Sequence, residues 1–183
     1  IHIGKWHLGS TPEMRPNNQG FDESLFMESG LYLPQNDPRV VNSKQDFDPI
    51  DKFLWAAHPW GIRFNDGQPF QPPRYMTDYL TDEAIKAMDA NRQQPFFMYL
   101  AYNAPHTPLQ STKEDYDALA HIPDHATRVY AAMIRSLGRM GAVGLLVPFS
   151  VLGIHRWEGQ SWFLIFGPLV VTLAAGFGLL FWR

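Results

Sequence analysis

Two short segments, about a hundred residues apart, place cationic or titratable side chains beside residues that turn the chain. Gly4–Gly9 reads Gly-Lys-Trp-His-Leu-Gly and carries Lys5 and His7, whereas Asn103–Pro108 reads Asn-Ala-Pro-His-Thr-Pro and carries His106. Lysine is a compact cation suited to a tetrahedral oxyanion, and histidine can hold or transfer a proton near neutral pH. Either segment alone would more often be structural. Together they predict one ammonium and two imidazoles around a common anion.

The first segment predicts a strand that runs into a turn. Side chains alternate along a strand, so Lys5 and His7 should share one face while Trp6 points to the other. Trp6 can then be buried and hold the strand in place, while the two polar side chains project into a cleft. Gly4 and Gly9 allow a sharp turn or a close approach to a ligand.

Prolines restrict the second segment. Ala104 and Thr107 each precede a proline, which pushes their backbones toward extended conformations. The loop that contains them therefore has little freedom. We expect it to hold the His106 imidazole ready as a ligand or as a general acid or base.

The elements around these segments predict an α/β fold. A helix is expected over 77–92, capped by Thr77 or Asp78, because apolar residues recur there at helical spacing. The continuous apolar run at 96–101 is typical of a strand buried on both faces of a sheet. A further helix is expected over about 126–138. Helices that alternate with such strands indicate an α/β sheet, whose ligands bind beyond the carboxyl ends of the strands, where both segments lie.

The region 10–74 is rich in Pro, Asn, Asp and Gly and shows no sustained period, which is typical of loops that build a functional rim. Trp55 could line a substrate rim there. Asp46, Asp48 and Asp51 could bind a hard cation, although a solvated loop is the simpler interpretation.

The composition excludes several classes of site. The chain has 183 residues and no cysteine, so disulfides, cysteine-ligated zinc and a thiol nucleophile are excluded. The formal net charge is −3, and no basic stripe is present to neutralise the phosphates of a nucleic acid. We therefore predict no nucleic-acid partner. Because Ile1-His2-Ile3 reads as the interior of a strand, we also expect a further segment upstream.

An apolar tail, 141–183, differs from the rest of the chain. Residues 162–182 are 21 residues without a charge, and at about 1.5 Å per residue a helix of this length crosses the roughly 30 Å of a bilayer core. Trp162 and Trp182 stand at its ends, as is typical of membrane interfaces. We therefore predict a domain at 1–140 and an apolar membrane segment at 141–183 whose main span is 162–182. The alternative is a buried core helix.

The motifs resemble those of the formylglycine-dependent sulfatases, the arylsulfatase family within the alkaline-phosphatase-like superfamily. Ile3–Gly9 is similar to the second signature of that family, and Pro95–Leu109 is similar to its strand and Ala-Pro-His loop. Further segments resemble the family in the same order, at 18–22, 75–85 and 130–134. The resemblance extends over about 1–137 and covers only the central part of such an enzyme.

This resemblance implies a fragment of an alkaline-phosphatase-like α/β fold, a mixed sheet flanked by helices, followed here by the predicted transmembrane helix. It implies sulfuric ester hydrolase chemistry with a sulfate ester as substrate. Lys5 would contact the formylglycine nucleophile and a sulfate oxygen, His7 would take a proton as the sulfated intermediate collapses, and His106 would bind the sulfate near the leaving oxygen. Lys5 and His106 would thus bind substrate as well as act in catalysis. The expected location is a lipid bilayer, with the sulfatase-like part outside the cytoplasm.

Two parts of the family's site are absent from the sequence. It contains no Cys/Ser-x-Pro-x-Arg segment, which provides the formylglycine, and it lacks the paired aspartates and the Asp-Asn-Gly segment that bind calcium in the family. We therefore assign no metal ligand and expect the chain alone not to turn over sulfate esters. The alternatives are a membrane-anchored, non-catalytic remnant that binds anions, a phosphate esterase of the same superfamily, and a fused or truncated reading frame in which 138–183 is not the natural continuation.

Overall fold

The first candidate segment emerges from a small β-sheet. The computed structural model describes residues 1–9, 11–27, 30, 32–57 and 61–151, which belong to one unit that ends at Val151. Its strands and helices, in chain order, are β1 (His2–Lys5), β2 (Ser24–Met27), β3 (Val40–Ser43), α1 (Pro49–Ala57), β4 (Arg63–Phe64), α2 (Met76–Asn91), β5 (Tyr99–Ala101), β6 (Leu109–Thr112), α3 (Lys113–Asp117) and α4 (His125–Val151). Two single turns of 3₁₀-helix, Pro12–Met14 and Pro16–Asn18, lie between β1 and β2.

Four strands pair in the order β4-β2-β1-β5. β1 is parallel to both β2 and β5, and β4 is antiparallel to β2. Helix α2 packs against β1, and α4 packs against α2. This mixed sheet with its packed helices confirms the α/β fold class predicted from the sequence.

A second sheet supports the other candidate segment. β3 and β6 pair antiparallel, with Val40 opposite Thr112 and Ser43 opposite Leu109. α4 packs against β6, and α3 begins directly after β6. The Thr112 hydroxyl caps α3 by accepting a hydrogen bond from the Asp115 backbone N–H at 3.1 Å. The loop that carries His106 is therefore held between two sheets, by β5 at one end and by β6 at the other.

Apolar side chains of β2, α2 and α4 form the core of this unit. Leu80 and Ala84, two of the apolar residues that recur at helical spacing in α2, are both buried. The largest apolar side chains that are almost completely inaccessible are Phe26, Met27, Tyr32, Ile62, Met76, Leu80, Val129 and Met133.

Two helices differ in detail from the sequence prediction. Tyr75 occupies the N-cap position of α2 and forms no side-chain cap, so the prediction of Thr77 or Asp78 as the cap was wrong. Thr77 instead lies buried in the first turn. Helix α4 continues to Val151 instead of ending near 138, although this extension contains Gly141, Gly144 and Pro148, which are unfavourable in a helix interior.

The apolar run at 96–101 is only partly a strand. β5 comprises its last three residues, and Phe97 is 63% exposed. The prediction of a strand buried on both faces was wrong, because Tyr99 is exposed and Leu100 and Ala101 are only partly buried. β5 also lies at the edge of the sheet that the described residues form. Only β1 pairs with it there, which leaves one side of β5 uncovered in this part of the chain.

The membrane prediction concerns residues outside this description. Of the helices that the structure describes, none combines the length and the apolar character needed to cross a bilayer. The predicted main span at 162–182 lies outside the described residues, as does the end of the apolar tail.

Candidate functional site

The parallel pairing of β1 with β5 brings the two candidate segments together at the carboxyl ends of these strands. Gly4 lies opposite Ala101 in the register, so Lys5 leaves β1 at the level where the chain leaves β5 toward Asn103. Gly4 has a positive φ of 116°, and a Cβ atom at this position would overlap the carbonyl oxygen of Ala101. Only glycine allows the two strands to approach this closely. The sequence predicts a sharp turn or a close approach to a ligand at Gly4, whereas the close approach in the structure is to the neighbouring strand β5.

Lys5 is a half-buried cation that forms no ion pair with a carboxylate among the residues the structure describes. Its side chain forms no hydrogen bond or ion pair with another residue in the part of the chain that the structure describes. Burial lowers the pKa of the Lys5 ammonium, because desolvation disfavours the charged form. A partly desolvated charge that lacks a structural partner is characteristic of a site that binds an ion from outside the chain.

Trp6 holds this end of β1 in place. Its side chain is 8% exposed, and the indole Nε1–H donates to the carbonyl oxygen of Met14 at 2.8 Å. The ring also packs edge-to-face against His2, with 5.2 Å between the ring centroids. The expected anchoring role of Trp6 is therefore confirmed. His7 follows the end of the strand and is exposed.

The His106 loop is a tight turn fixed at both its backbone and its side chain. The backbone N–H of His106 donates to Asn103 O at 2.9 Å, and the His106 Nδ1 lies 2.6 Å from Thr107 O. A carbonyl oxygen can only accept, so Nδ1 carries the hydrogen and donates it. The exposed Nε2 is left available to a ligand. The peptide bonds Ala104–Pro105 and Thr107–Pro108 are both cis.

The hydroxyl of a buried tyrosine, Tyr32, forms hydrogen bonds to this loop. The Tyr32 hydroxyl donates to His106 O at 2.9 Å and accepts a hydrogen bond from Asn103 Nδ2 at 3.1 Å. Burial raises the pKa of Tyr32 far above its ordinary value, so the hydroxyl remains a donor at any working pH. Gln110 in β6 fixes the tyrosine in turn, since its Oε1 accepts from the backbone N–H groups of Tyr32 at 3.0 Å and Leu33 at 2.7 Å.

Asp51 also holds the loop, and the sequence interpretation of this residue was wrong. The sequence indicates a solvated or cation-binding loop at this position, yet Asp51 lies in α1 and is 1% exposed. One carboxylate oxygen accepts a hydrogen bond from the Thr107 hydroxyl, and the other accepts from Gln45 N at 2.7 Å and from Trp55 Nε1 at 2.9 Å. The four-residue spacing of Asp51 and Trp55 was the one signal in the sequence, because it puts them on one face of a helix.

The residues that the structure describes do not fit a calcium ion. They contain no group of three or more histidine or acidic side chains that could hold a metal. Asp51 uses both carboxylate oxygens within the protein, and Asp48 accepts a hydrogen bond from Ile50 N at 2.9 Å at the start of α1. The chain thus offers a cation, two exposed imidazoles and a firmly held loop, but no assembled metal centre in this part. Convergence of the three side chains on one anion stays a prediction.

Comparison with known proteins places these motifs in a family. The family model described as Sulfatase matches residues 1–140. The chain is 31% identical to an uncharacterized sulfatase of Schizosaccharomyces pombe, over 85% of this chain and 28% of that protein. It is 28% identical to an arylsulfatase of Klebsiella aerogenes, over 88% of this chain and 33% of that enzyme. The chain therefore spans about a third of the length of these relatives.

A solved structure agrees with the sequence matches. The crystal structure of Ps i-CgsB in complex with k-i-k-neocarrahexaose superimposes with a TM-score of 0.64 at 30% sequence identity. The match covers 82% of this chain and 33% of that chain.

Proposed function

Because this chain belongs to the sulfatase family, we propose that residues 1–140 provide the sulfate-binding part of a sulfuric ester hydrolase site. The observation that carries this proposal is the register of β1 and β5, in which Gly4 lies opposite Ala101. This register brings Lys5 and the start of the His106 loop to the carboxyl ends of β1 and β5. Ligands of such sheets bind beyond the carboxyl ends of parallel strands.

Each of the three side chains has a proposed role. The Lys5 ammonium binds a sulfate oxygen and stabilises the negative charge that develops during transfer. His106 binds the sulfate close to the leaving oxygen as an imidazolium, whose Nε2–H donates to a sulfate oxygen while Nδ1–H donates to Thr107 O. His7, which is exposed, accepts and returns a proton.

We propose that the 183-residue chain by itself does not hydrolyse sulfate esters. Its sequence lacks the Cys/Ser-x-Pro-x-Arg segment from which the family forms its nucleophile, and the described residues hold no calcium cluster. No step can therefore be derived through formylglycine or calcium from these residues. Turnover of a chromogenic aryl sulfate by the purified chain would contradict this part of the proposal.

The substrate class proposed here is a sulfate ester carried on a saccharide. Support comes from the structural neighbour Ps i-CgsB, which was crystallised in complex with k-i-k-neocarrahexaose. The chain's own contribution would be recognition of the sulfate group, since this is what Lys5 and His106 can bind.

A second candidate function is a membrane-anchored remnant that binds anions without catalysis. The uncharged stretch of 21 residues at 162–182 favours it. In both cases we propose that this stretch inserts in a bilayer and that the sulfatase-like part lies outside the cytoplasm. Extraction of cell membranes with alkaline carbonate tests the insertion. The full chain should stay in the pellet, and a variant with two lysines placed within 162–182 should move to the supernatant.

Binding of inorganic sulfate to the full chain tests the site itself. Titration followed by NMR should show weaker binding in Lys5→Met and His106→Gln than in the parent, by about tenfold each if each charge-assisted bond contributes about 1.5 kcal/mol or more. Lys113→Met is the matched control, because Lys113 pairs with Asp117 at 2.7 Å on α3. Sulfate binding that is unchanged in both site variants would refute the proposal.

A further inference from the structure

A small pocket is lined by Asp51, the residue that also holds the His106 loop through Thr107. It has a volume of about 230 Å³ and is lined by Lys44, Asp46, Asp51, Lys52, Trp55 and Ala56. We call it the Trp55 pocket. The volume is too small for a large ligand but suits a single group or ring of one.

The side chains of this pocket are ordered by a chain of contacts that starts at the buried carboxylate. Asp51 fixes the indole of Trp55 through the 2.9 Å hydrogen bond from Nε1. The Lys44 ammonium in turn lies over the Trp55 ring, 5.3 Å from the ring centroid. A cation–π contact of this kind holds a lysine without neutralising its charge. Lys44 is therefore positioned at the pocket while its charge stays available.

The cations of the Trp55 pocket differ from those of a larger cavity elsewhere in the described part of the chain. That cavity, of about 520 Å³, is lined by Arg39, Arg74 and Lys113 among others. Each of these three pairs with a carboxylate: Arg39 with Asp37, Arg74 with Asp82, and Lys113 with Asp117. Lys44 and Lys52 form no ion pair with any residue that the structure describes. Asp46 also lines the pocket and can accept hydrogen bonds from hydroxyl groups of a ligand.

Asp51 connects this pocket to the His106 loop. The same carboxylate that fixes Trp55 accepts the hydrogen bond from Thr107, the residue that follows His106. We propose that the Trp55 pocket is a second anion subsite, which binds a further sulfate group of a multiply sulfated saccharide while the first sulfate lies at Lys5 and His106. This inference rests on the proposed function for the location of the first sulfate.

The experiment compares four probes with the full 183-residue chain. They are inorganic sulfate and the unsulfated, monosulfated and disulfated forms of one disaccharide. The indole N–H resonance of Trp55, assigned with Trp55→Phe, reports directly on the pocket. We expect the disulfated probe to shift this resonance and to bind about fivefold more tightly than the monosulfated one, as expected for exposed charge pairs. The double variant Lys44→Gln/Lys52→Gln should abolish both effects and leave the affinity of inorganic sulfate for the site at Lys5 and His106 unchanged. Lys113→Gln is the control and should retain the preference.

The outcomes separate this inference from the proposed function. A Trp55 resonance that does not move with saturating disulfated probe, or a preference that survives the double lysine variant, would overturn the subsite. If sulfate binding is instead independent of Lys5 and His106, the proposed function fails. In that case a shift of the Trp55 resonance that depends on Lys44 would still establish the pocket as an anion site.

Discussion

The hydroxyl of Thr107 donates a hydrogen bond to the buried carboxylate of Asp51, 56 residues earlier in the chain. This bond fastens the loop of His106 to helix α1. Because the other oxygen of Asp51 binds Gln45 N and Trp55 Nε1, the carboxylate has no freedom to follow the loop if the loop moves. The loop is therefore held by the protein interior before any ligand arrives, which lowers the cost of binding.

Removal of this carboxylate should loosen the loop and destabilise the fold. Asp51→Ala leaves three donors without their acceptor, so we expect the free energy of unfolding to fall by about 2 to 4 kcal/mol in urea denaturation. Thr107→Val removes only one donor but leaves one oxygen of the buried Asp51 carboxylate without it, so it should cost about 1 to 3 kcal/mol. It should also weaken sulfate binding, because His106 lies next to Thr107. Asp46→Ala, an exposed neighbour, is the control and should change stability by less than about 0.5 kcal/mol. Equal stability of Asp51→Ala and Asp46→Ala would contradict the role of Asp51 in holding the His106 loop.

The hydroxyl of Tyr32 should matter in the same way. In Tyr32→Phe, His106 O loses its donor and Asn103 Nδ2 loses its acceptor within a buried network. We expect a loss of about 1 to 3 kcal/mol in the free energy of unfolding, with weaker sulfate binding. Tyr99→Phe is the matched control, because Tyr99 is 37% exposed and lies at the sheet edge. A Tyr32→Phe chain as stable as Tyr99→Phe would show that the network does not support the loop.

The sequence predicts the local features of this site better than the long-range hydrogen bonds that hold the His106 loop. The burial of Trp6 and the close approach at Gly4 follow from alternation and from glycine chemistry, both of which act over a few residues. Tyr32 and Asp51 could not be assigned, since their partners at 106 and 107 lie 74 and 56 residues away. Hydrogen bonds of this range depend on tertiary packing and leave no periodic signal. The same reason explains the error at 96–101, where the run of apolar residues indicates a strand but not which side of it is covered.

Gly4 offers a test of the strand register on which the proposed site depends. Gly4→Ala introduces a Cβ that overlaps the carbonyl oxygen of Ala101 and places it on a positive φ of 116°. Gly20→Ala separates these effects, because Gly20 also has a positive φ, 104°, but has open space around it. We expect Gly20→Ala to cost about 1 to 2 kcal/mol from backbone strain alone. Gly4→Ala should cost clearly more or abolish soluble folded protein, as measured by urea denaturation and by yield. Similar losses in the two variants would contradict the close pairing of β1 with β5.

His2 should make the folded state sensitive to acid. Burial lowers its pKa from 6.5 to about 4, although the hydrogen bond from Nε2 to Lys5 O at 3.3 Å partly opposes this shift. The folded state therefore resists protonation, whereas the unfolded state takes up a proton near pH 6.5. Stability should be complete above that pH and should fall by about 3 kcal/mol as the pH decreases to about 4, at 1.36 kcal/mol per unit of pKa difference.

Urea denaturation at about pH 7.5 and about pH 4.5 measures this contribution as a difference between variants. His2→Gln keeps a donor toward Lys5 O and should lose most of the acid sensitivity that His2 contributes. His121→Gln removes an exposed histidine instead and should retain the acid sensitivity of the parent. Because Trp6 packs against His2, the same protonation should disturb the end of β1, so sulfate binding should weaken in parallel with stability. If the parent and His2→Gln lost stability equally on acidification, His2 would not be the group responsible.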